Sequence, residues 1–268
     1  MKTIVITGGT RGIGYGLADA FLALDCNVAI SGRNAKSLEM SIEKLADKYS
    51  PQKIRGYVAD VRHFEQVQAL WDKAKADFGK IDIWINNAAM THPRFPLWEQ
   101  TPETLAAVVE TNLIGTMYGA KVAITGMLAQ GFGAFYNLEG SGSSGTKVEN
   151  LTLYGTTKYG IRFLTESLVQ EMQGTPIVVG AISPGIVVTD LITGQYNEQQ
   201  VELWERSKRV LNILADRVET VTPWLAEQIL ANQKTGIRIA WLTKAKAIRR
   251  FWELLFLNGI YLKKFNVF

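Results

Sequence analysis

The stretch "TGGTRGIG" (7–14) follows directly on an apolar run, "KTIVIT" (2–7), and opens a stretch of helical periodicity at 13–24. That junction constrains the chain more than any other feature. A strand that turns tightly into a helix leaves backbone N–H groups free at the helix start, where the helix dipole favours phosphate. In such a turn Gly8 permits the sharp bend, Gly12 lets a pyrophosphate come close, and Gly14 lets helix and strand pack closely. A plain β-to-α turn is the alternative reading of the same residues.

The rest of the chain repeats the pattern. "NVAIS" (27–31), "IRGYVAD" (54–60), "IDIWIN" (81–86), "GAFYNL" (133–138) and "IVVGAIS" (177–183) are short, rich in β-branched residues and mostly continuous. Such runs suit parallel strands buried on both faces. Helical periodicity occupies 36–49, 64–78, 102–130 and 155–173, and "IRIAWL" (237–242) is a candidate last strand. Strand and helix in alternation predict an α/β fold: a doubly wound parallel sheet of Rossmann type, in three α/β/α layers. The expected catalytic domain is 1–243, with 190–218 as a segment that departs from the pattern and 244–268 as a C-terminal extension.

Composition removes several functions. The 268 residues, 47% hydrophobic, suffice for one substantial core. A net charge of +4, spread along the chain, makes no case for nucleic acid. No apolar run approaches the roughly 18 residues of a membrane-spanning helix. The first residues lack a signal-peptide plan, because their apolar stretch ends in glycines. Cys26 is the single cysteine, so no internal disulfide forms, and a reducing intracellular compartment is expected, cytoplasmic in a bacterium or a plastid in a plant or alga. With His63 and His92 the only histidines, a zinc site or a Ser-His-Asp triad has little material, and no metal is expected.

The end of the second strand, "AISGRN", bears on the cofactor. NAD sites usually place a carboxylate there to hold the ribose hydroxyls. Here Ser31, Gly32 and Arg33 stand instead. Arg33, with Arg11 from the glycine turn, suits a 2′-phosphate, since guanidinium makes bidentate hydrogen bonds, and NADP(H) is the expected cofactor. Asp60, read as closing the third strand, is placed to touch the adenine or to cap a helix. Further on, "YGTTKYG" (154–160) puts Tyr154 and Lys158 on one helix face. An ammonium beside a phenol favours the phenolate, so the pair is an acid/base device or surface decoration.

Taken together, "TGGTRGIG", "DV" (60–61), "NNAA" (86–89), "TNLIGT" around Asn112, Ser141, "YGTTK" and "SPG" (183–185) resemble the short-chain dehydrogenase/reductase family, in that family's order, over residues 2 to about 190. Ala89 stands where the family usually has glycine. The resemblance implies a catalytic tetrad of Asn112, Ser141, Tyr154 and Lys158. Tyr154 would exchange a proton with the carbonyl or alcohol oxygen. Lys158 would lower the tyrosine pKa and hold the nicotinamide ribose, Ser141 would hold the substrate oxygen, and Asn112 would anchor a proton-relaying water. Ser143 and Ser144 are rivals to Ser141, and Glu139 would contact substrate or face solvent. The implied cofactor set is Gly8, Thr10, Arg11, Gly12, Ile13, Gly14, Arg33, Asp60, Val61, Asn87, Tyr154, Lys158, Pro184, Gly185 and Thr189. Of these, Thr189 would hold the carboxamide, and Pro184 with Gly185 would shape the wall by the ring.

Several stretches, "IDIWINNAA", "FYNLEGSGSSG", "SPGIVVTDL" and "IAWLTKAKAIRRF", are similar to the chlorophyll(ide) b reductase branch. The implied reaction is NADPH reduction of a 7-formyl group to hydroxymethyl, the alternatives being another hydrophobic ketone or aldehyde, or a module that senses NADP(H) without turnover. The loop "MTHPRFPLWEQ" (90–100) brings His92, Phe95 and Trp98 toward the expected substrate, and the covering segment brings Tyr196 and Trp204; each is a contact or mere packing. The basic, aromatic tail is expected to meet a membrane surface peripherally, its own domain, or a neighbouring subunit. The resemblance also implies a homodimer or homotetramer through the helices at 102–130 and 155–173.

Overall fold

A computed structural model describes residues 1–196 and 200–256. Nine strands and ten α-helices follow one another among them. In chain order they are β1 (Thr3–Ile6), α1 (Gly12–Ala23), β2 (Asn27–Gly32), α2 (Ala35–Ala46), β3 (Ile54–Val58), α3 (Phe64–Phe78) and β4 (Ile83–Asn86). Then come α4 (Pro102–Val109), α5 (Gly115–Gln130), β5 (Gly133–Leu138), α6 (Thr152–Glu171), β6 (Ile177–Ser183) and β7 (Ile186–Val187). The remainder is α7 (Asp190–Thr193), α8 (Val201–Leu214), β8 (Ala215–Asp216), α9 (Val218–Ala231), β9 (Arg238–Ala240) and α10 (Lys244–Phe256).

Seven strands form one sheet in the order β3-β2-β1-β4-β5-β6-β9, every neighbour parallel. The order reverses between β1 and β4, the crevice where doubly wound sheets bind their ligands. Apolar strands are buried on both faces because helices cover both. Ile4 and Ile6 of β1 pack with Leu17 and Phe21 of α1 and Leu225 and Ile229 of α9. On the opposite face Val5 joins Val67, Leu70, Trp71, Trp84 and Phe135.

Two sequence expectations need revision, and two stretches gain elements that the periodicity does not show. The helix expected over 102–130 is interrupted by a π-turn at Glu110–Ile114, which holds Asn112. Extra residues in a helical turn commonly mark functional positions. The third strand ends at Val58, so Asp60 sits in the loop beyond it rather than closing the strand. Helix α9 was absent from the periodicity reading, since Pro223 interrupts the pattern of helix formers in "VETVTPWLAEQIL". In the covering segment 190–218 the described residues form α7, α8, β8 and the start of α9, and β8 pairs with β7 as a small separate parallel ribbon.

The described part of the tail docks on its own domain. Arg250 donates to both oxygens of Asp216, at 2.8 and 2.9 Å, and to the Leu214 carbonyl at 3.0 Å. Ile248, Phe251 and Trp252 are exposed. Residues 257–268, which carry the end of the predicted extension, lie outside the described residues. No described helix is long and apolar enough to cross a membrane.

Candidate active site

One cavity of about 730 Å³ opens at the topological switch point. Its lining includes Gly8, Thr10, Arg11, Gly12, Ile13 and Gly14 from the glycine turn, and Arg33, Asp60, Val61 and Asn87 from the strand ends beside it. At the other end lie Ser141, Tyr154, Lys158, Pro184, Gly185 and Thr189. Every predicted cofactor residue therefore faces the same space. Of the tetrad, Asn112 alone is not part of the lining.

The turn fits a dinucleotide phosphate. Gly8 has φ +66°, and a Cβ there would stand 2.8 Å from the Ala88 backbone, so a larger residue is excluded. Asn87 braces the turn from β4: its Nδ2 donates to the Thr7 and Gly8 carbonyls, both at 2.8 Å. Helix α1 has no side-chain cap at Arg11, which leaves its first N–H groups for a ligand. At the end of β2 no carboxylate is present, and the exposed Arg33 makes no hydrogen bond or ion pair among the described residues. Arg11 by contrast pairs loosely with Asp190 at 3.4 Å, both side chains being exposed. These residues fit a nicotinamide dinucleotide.

Asp60 has another commitment. Arg62 grips its carboxylate with Nε at 3.0 Å and Nη2 at 2.7 Å, which holds the carboxyl below its usual pKa. The cap position of α3 falls to His63, while Asp60 lines the cavity.

At the far end, Tyr154 and Lys158 are both buried, with exposures of 6% and 2%. Lys158 donates from Nζ to the Leu138 carbonyl at 3.0 Å, and its ammonium lies 5.7 Å from the centre of the Tyr154 ring. Burial pushes the Lys158 pKa down to about 8, opposed in part by the Glu139 carboxylate. Burial pushes the Tyr154 hydroxyl up from its ordinary value. Loss of solvent favours the protonated phenol. Gly140 packs directly on this pair: a Cβ would lie 2.6 Å from the Tyr154 hydroxyl and 3.2 Å from Lys158 Cε.

The serine loop separates the three rivals. Ser143 is buried and hydrogen-bonds both backbone groups of Gly140, while Ser144 bonds Thr146 at 3.1 Å. Ser141 lines the cavity, and its side chain has no hydrogen bond among the described residues. Glu139 neither contacts the solvent nor stands free; its side chain, 2% exposed, pairs with Arg238 at 2.6 Å.

The Asn112 side chain ties the loop after β4 to α6. Its Nδ2 donates to the Met90 carbonyl and to Thr157 Oγ1, both at 3.0 Å, and its Oδ1 accepts from the Met90 N–H at 2.8 Å. Both amide donors are thus spent on the loop after β4 and on α6. The Asn112 carbonyl accepts from Thr116 Oγ1 at 2.7 Å.

His92 and the aromatic candidates lie outside the cavity lining. His92 is buried, and burial lowers its pKa. Trp98 is exposed, and Tyr196 packs against Trp204 with ring centres 4.7 Å apart and planes tilted by 54°. The cavity lining also includes residues that sequence reasoning did not single out, among them Met90, Thr91, Leu191, Ile192 and Gln195. No local signal marks these residues, since they meet only through the fold.

A family profile described as short chain dehydrogenase matches residues 2–200. The chain is 36% identical, over 93% of its length and 74% of the relative's, to the chloroplastic chlorophyll(ide) b reductase NOL of Oryza sativa subsp. japonica. The NOL protein of Arabidopsis thaliana is 34% identical, over 96% and 74%. Among solved structures, ElxO with NADP bound is 26% identical with TM-score 0.75, covering 88% of this chain and 97% of that one. Levodione reductase, at 24% identity and TM-score 0.79 over 89% and 96%, shares the fold.

Proposed function

The chain belongs to the short chain dehydrogenase family of oxidoreductases, and on that premise we propose that it is an NADP(H)-dependent reductase converting a carbonyl to an alcohol. The observation that carries this reading is the single cavity that runs from the glycine turn and the unpaired Arg33 to Tyr154 and Lys158. Bound NADPH would supply the hydride. Ser141, with a free hydroxyl, holds the carbonyl oxygen. Tyr154 gives it a proton as charge develops there; the upward shift keeps the phenol protonated near neutrality, which suits reduction. Lys158, anchored on Leu138, holds the ribose hydroxyls and replaces charge as the phenol ionises. Arg33 meets the 2′-phosphate, and Thr189 the carboxamide.

For the substrate we propose the 7-formyl group of a chlorophyll(ide) b pigment, a reading supported by the two NOL relatives, each matched over most of its length. A plastid in a plant or alga, or the cytoplasm in a bacterium, accompanies it. Exposed Phe163, Tyr159 and Met117 on α5 and α6 support association of copies through these helices, which light scattering would detect.

The test is anaerobic incubation with NADPH and chlorophyllide b, with the product identified by mass and Tyr154→Phe alongside. A gain of two hydrogens, lost in the variant, is the expected result. Bound NADPH without pigment reduction would remove the pigment and direct the search to other hydrophobic aldehydes and ketones.

A further inference from the structure

We propose that Glu139 is a positioning residue for the reaction: clamped by Arg238 beneath helix α6, its carboxylate is the fixed counter-charge of the Lys158 ammonium. The inference rests on the reductase reading and names the group that governs the charge of that site's lysine.

Strand alternation puts the carboxylate there. Asn137 of β5 donates from Nδ2 to Thr165 Oγ1 of α6 at 2.9 Å, so Glu139, two residues on, faces the same helix. Because β5 and β6 are parallel, α6 between them runs back along the sheet. Two residues advance a strand by about 7 Å, which a helix covers in about 4–5 residues. The step from Asn137 to Glu139 therefore leads back from Thr165 to the turn between Lys158 and Arg162. Both chain neighbours of Glu139 reach the lysine. Lys158 Nζ donates to the Leu138 carbonyl at 3.0 Å, and a Cβ on Gly140 would lie 3.2 Å from Lys158 Cε.

The carboxylate is held in place. The Glu139 N–H donates to the Ile182 carbonyl at 2.8 Å. Asn137 is in register with Ala181, and Ala181 with Arg238, so Arg238 stands on the α6 side of the sheet too. Its Nε donates to Glu139 Oε2 at 2.6 Å and its Nη2 to Ser183 Oγ at 2.8 Å. Glu139 Oε1 has no hydrogen bond among the described residues. The Glu139 side chain is 2% exposed and that of Arg238 42%, so water screens the guanidinium far more than the carboxylate.

A buried ammonium with one neutral acceptor is costly, and burial strips its proton. The Glu139 carboxylate opposes that loss, and the Lys158 pKa stands at about 8. Other charged groups around α6 are committed or solvated. Arg162 pairs with Glu166 at 2.8 Å, Asp190 across the cavity pairs with Arg11, and β6 carries no titratable side chain. Glu103 on α4, Glu110 in the π-turn, Lys121 on α5, and Lys147 and Glu149 before α6 are exposed. His92 is held neutral on the Tyr154 N–H.

The test reads Lys158 directly and through turnover. Protein labelled with carbon-13 at lysine Cε is titrated by NMR, the Lys158 resonance being the one lost in Lys158→Met. In parallel, kcat/KM with NADPH is followed from about pH 6 to about pH 9 for 4-nitrobenzaldehyde and for chlorophyllide b. Tyr154 keeps its proton across this range, so the alkaline fall in activity belongs to Lys158. Glu139→Gln should lower the Lys158 pKa by about 1 pH unit and move the alkaline fall down equally. Arg238→Gln, which leaves the carboxylate unopposed, should move both upward, and Glu139→Asp should stay closer to the wild type than Glu139→Gln. Activity lost at every pH with an unmoved Lys158 titration overturns the proposal, since a merely structural ion pair acts that way. If Glu139→Gln fails to fold, the direction of the shift in Arg238→Gln still decides. The expected Lys158 shifts, with neither aldehyde reduced by the wild type, would sink the reductase reading and leave the counter-charge standing.

Discussion

His92 Nε2 accepts a hydrogen bond from the backbone N–H of Tyr154 at 3.3 Å, while Nδ1 faces the Pro93 carbonyl at 2.7 Å. Helix α6 has no side-chain cap at Leu151, so the Tyr154 N–H is one of its orphan donors and the histidine, 62 residues away, caps it. Those partners require the neutral ring with its proton on Nδ1. A protonated ring would turn a donor toward a donor.

The consequence is a positioning role. His92→Leu should leave NADPH binding intact and lower kcat about 10-fold through a displaced Tyr154, with His92→Asn recovering part of it. Because the folded-state pKa of His92 lies below that of the free ring, stability is full above about pH 6.5 and falls as the pH drops through the folded value. Denaturant unfolding between pH 7 and pH 5 should show this slope in the wild type and a flatter one in His92→Leu.

Gly140 presses on the reacting pair. Gly140→Ala would place a methyl group 2.6 Å from the Tyr154 hydroxyl. Overpacking of this kind costs roughly 1–3 kcal/mol. A larger loss is expected in turnover, because the hydroxyl itself must move: about 100-fold in kcat, with the dissociation constant for NADPH nearly unchanged by fluorescence titration. Full activity in this variant would mean that the loop 139–145 yields freely.

Arg33 should set the cofactor preference. Its removal as Arg33→Ser takes away one charge-assisted contact, worth about 1.5–3 kcal/mol. NADPH should then bind about 10- to 100-fold more weakly, with NADH unaffected. Equal weakening of both cofactors would assign Arg33 a general role in the loop.

Lys158 stores an opposing stability term. The folded chain releases its proton near pH 8, whereas the unfolded chain holds it to about 10.5, so stability rises with pH across that window and the cost is full below it. Such a shift corresponds to about 3 kcal/mol. Lys158→Met should therefore be more stable than the wild type at pH 7 by on the order of 2 kcal/mol, after deducting the lost bond to Leu138. Activity should be abolished. Lower stability of the methionine variant at that pH would contradict the burial argument.

Much of the fold was legible because its determinants are local. The apolar runs of β1 to β6, the glycine turn and the residues at 154 and 158 announce themselves by spacing. Less legible were the elements defined by packing. Helix α9, interrupted by Pro223, is held against α1 by apolar partners, and the π-turn around Asn112 appears only where its amide meets Met90 and Thr157. Asp60 and Glu139 looked free in the sequence because their arginine partners carry no signal of pairing.

The residue order by itself determined the parallel sheet, the turn at Gly8–Gly14 and the helical face shared by Tyr154 and Lys158, since backbone conformation and periodicity act over a few residues. Only the tertiary structure decided that His92 caps the tyrosine's helix, that Gly140 abuts its hydroxyl, and that Glu139 pairs with Arg238. Those relationships join residues tens of positions apart, and their energies come from burial, which no local stretch of sequence can establish.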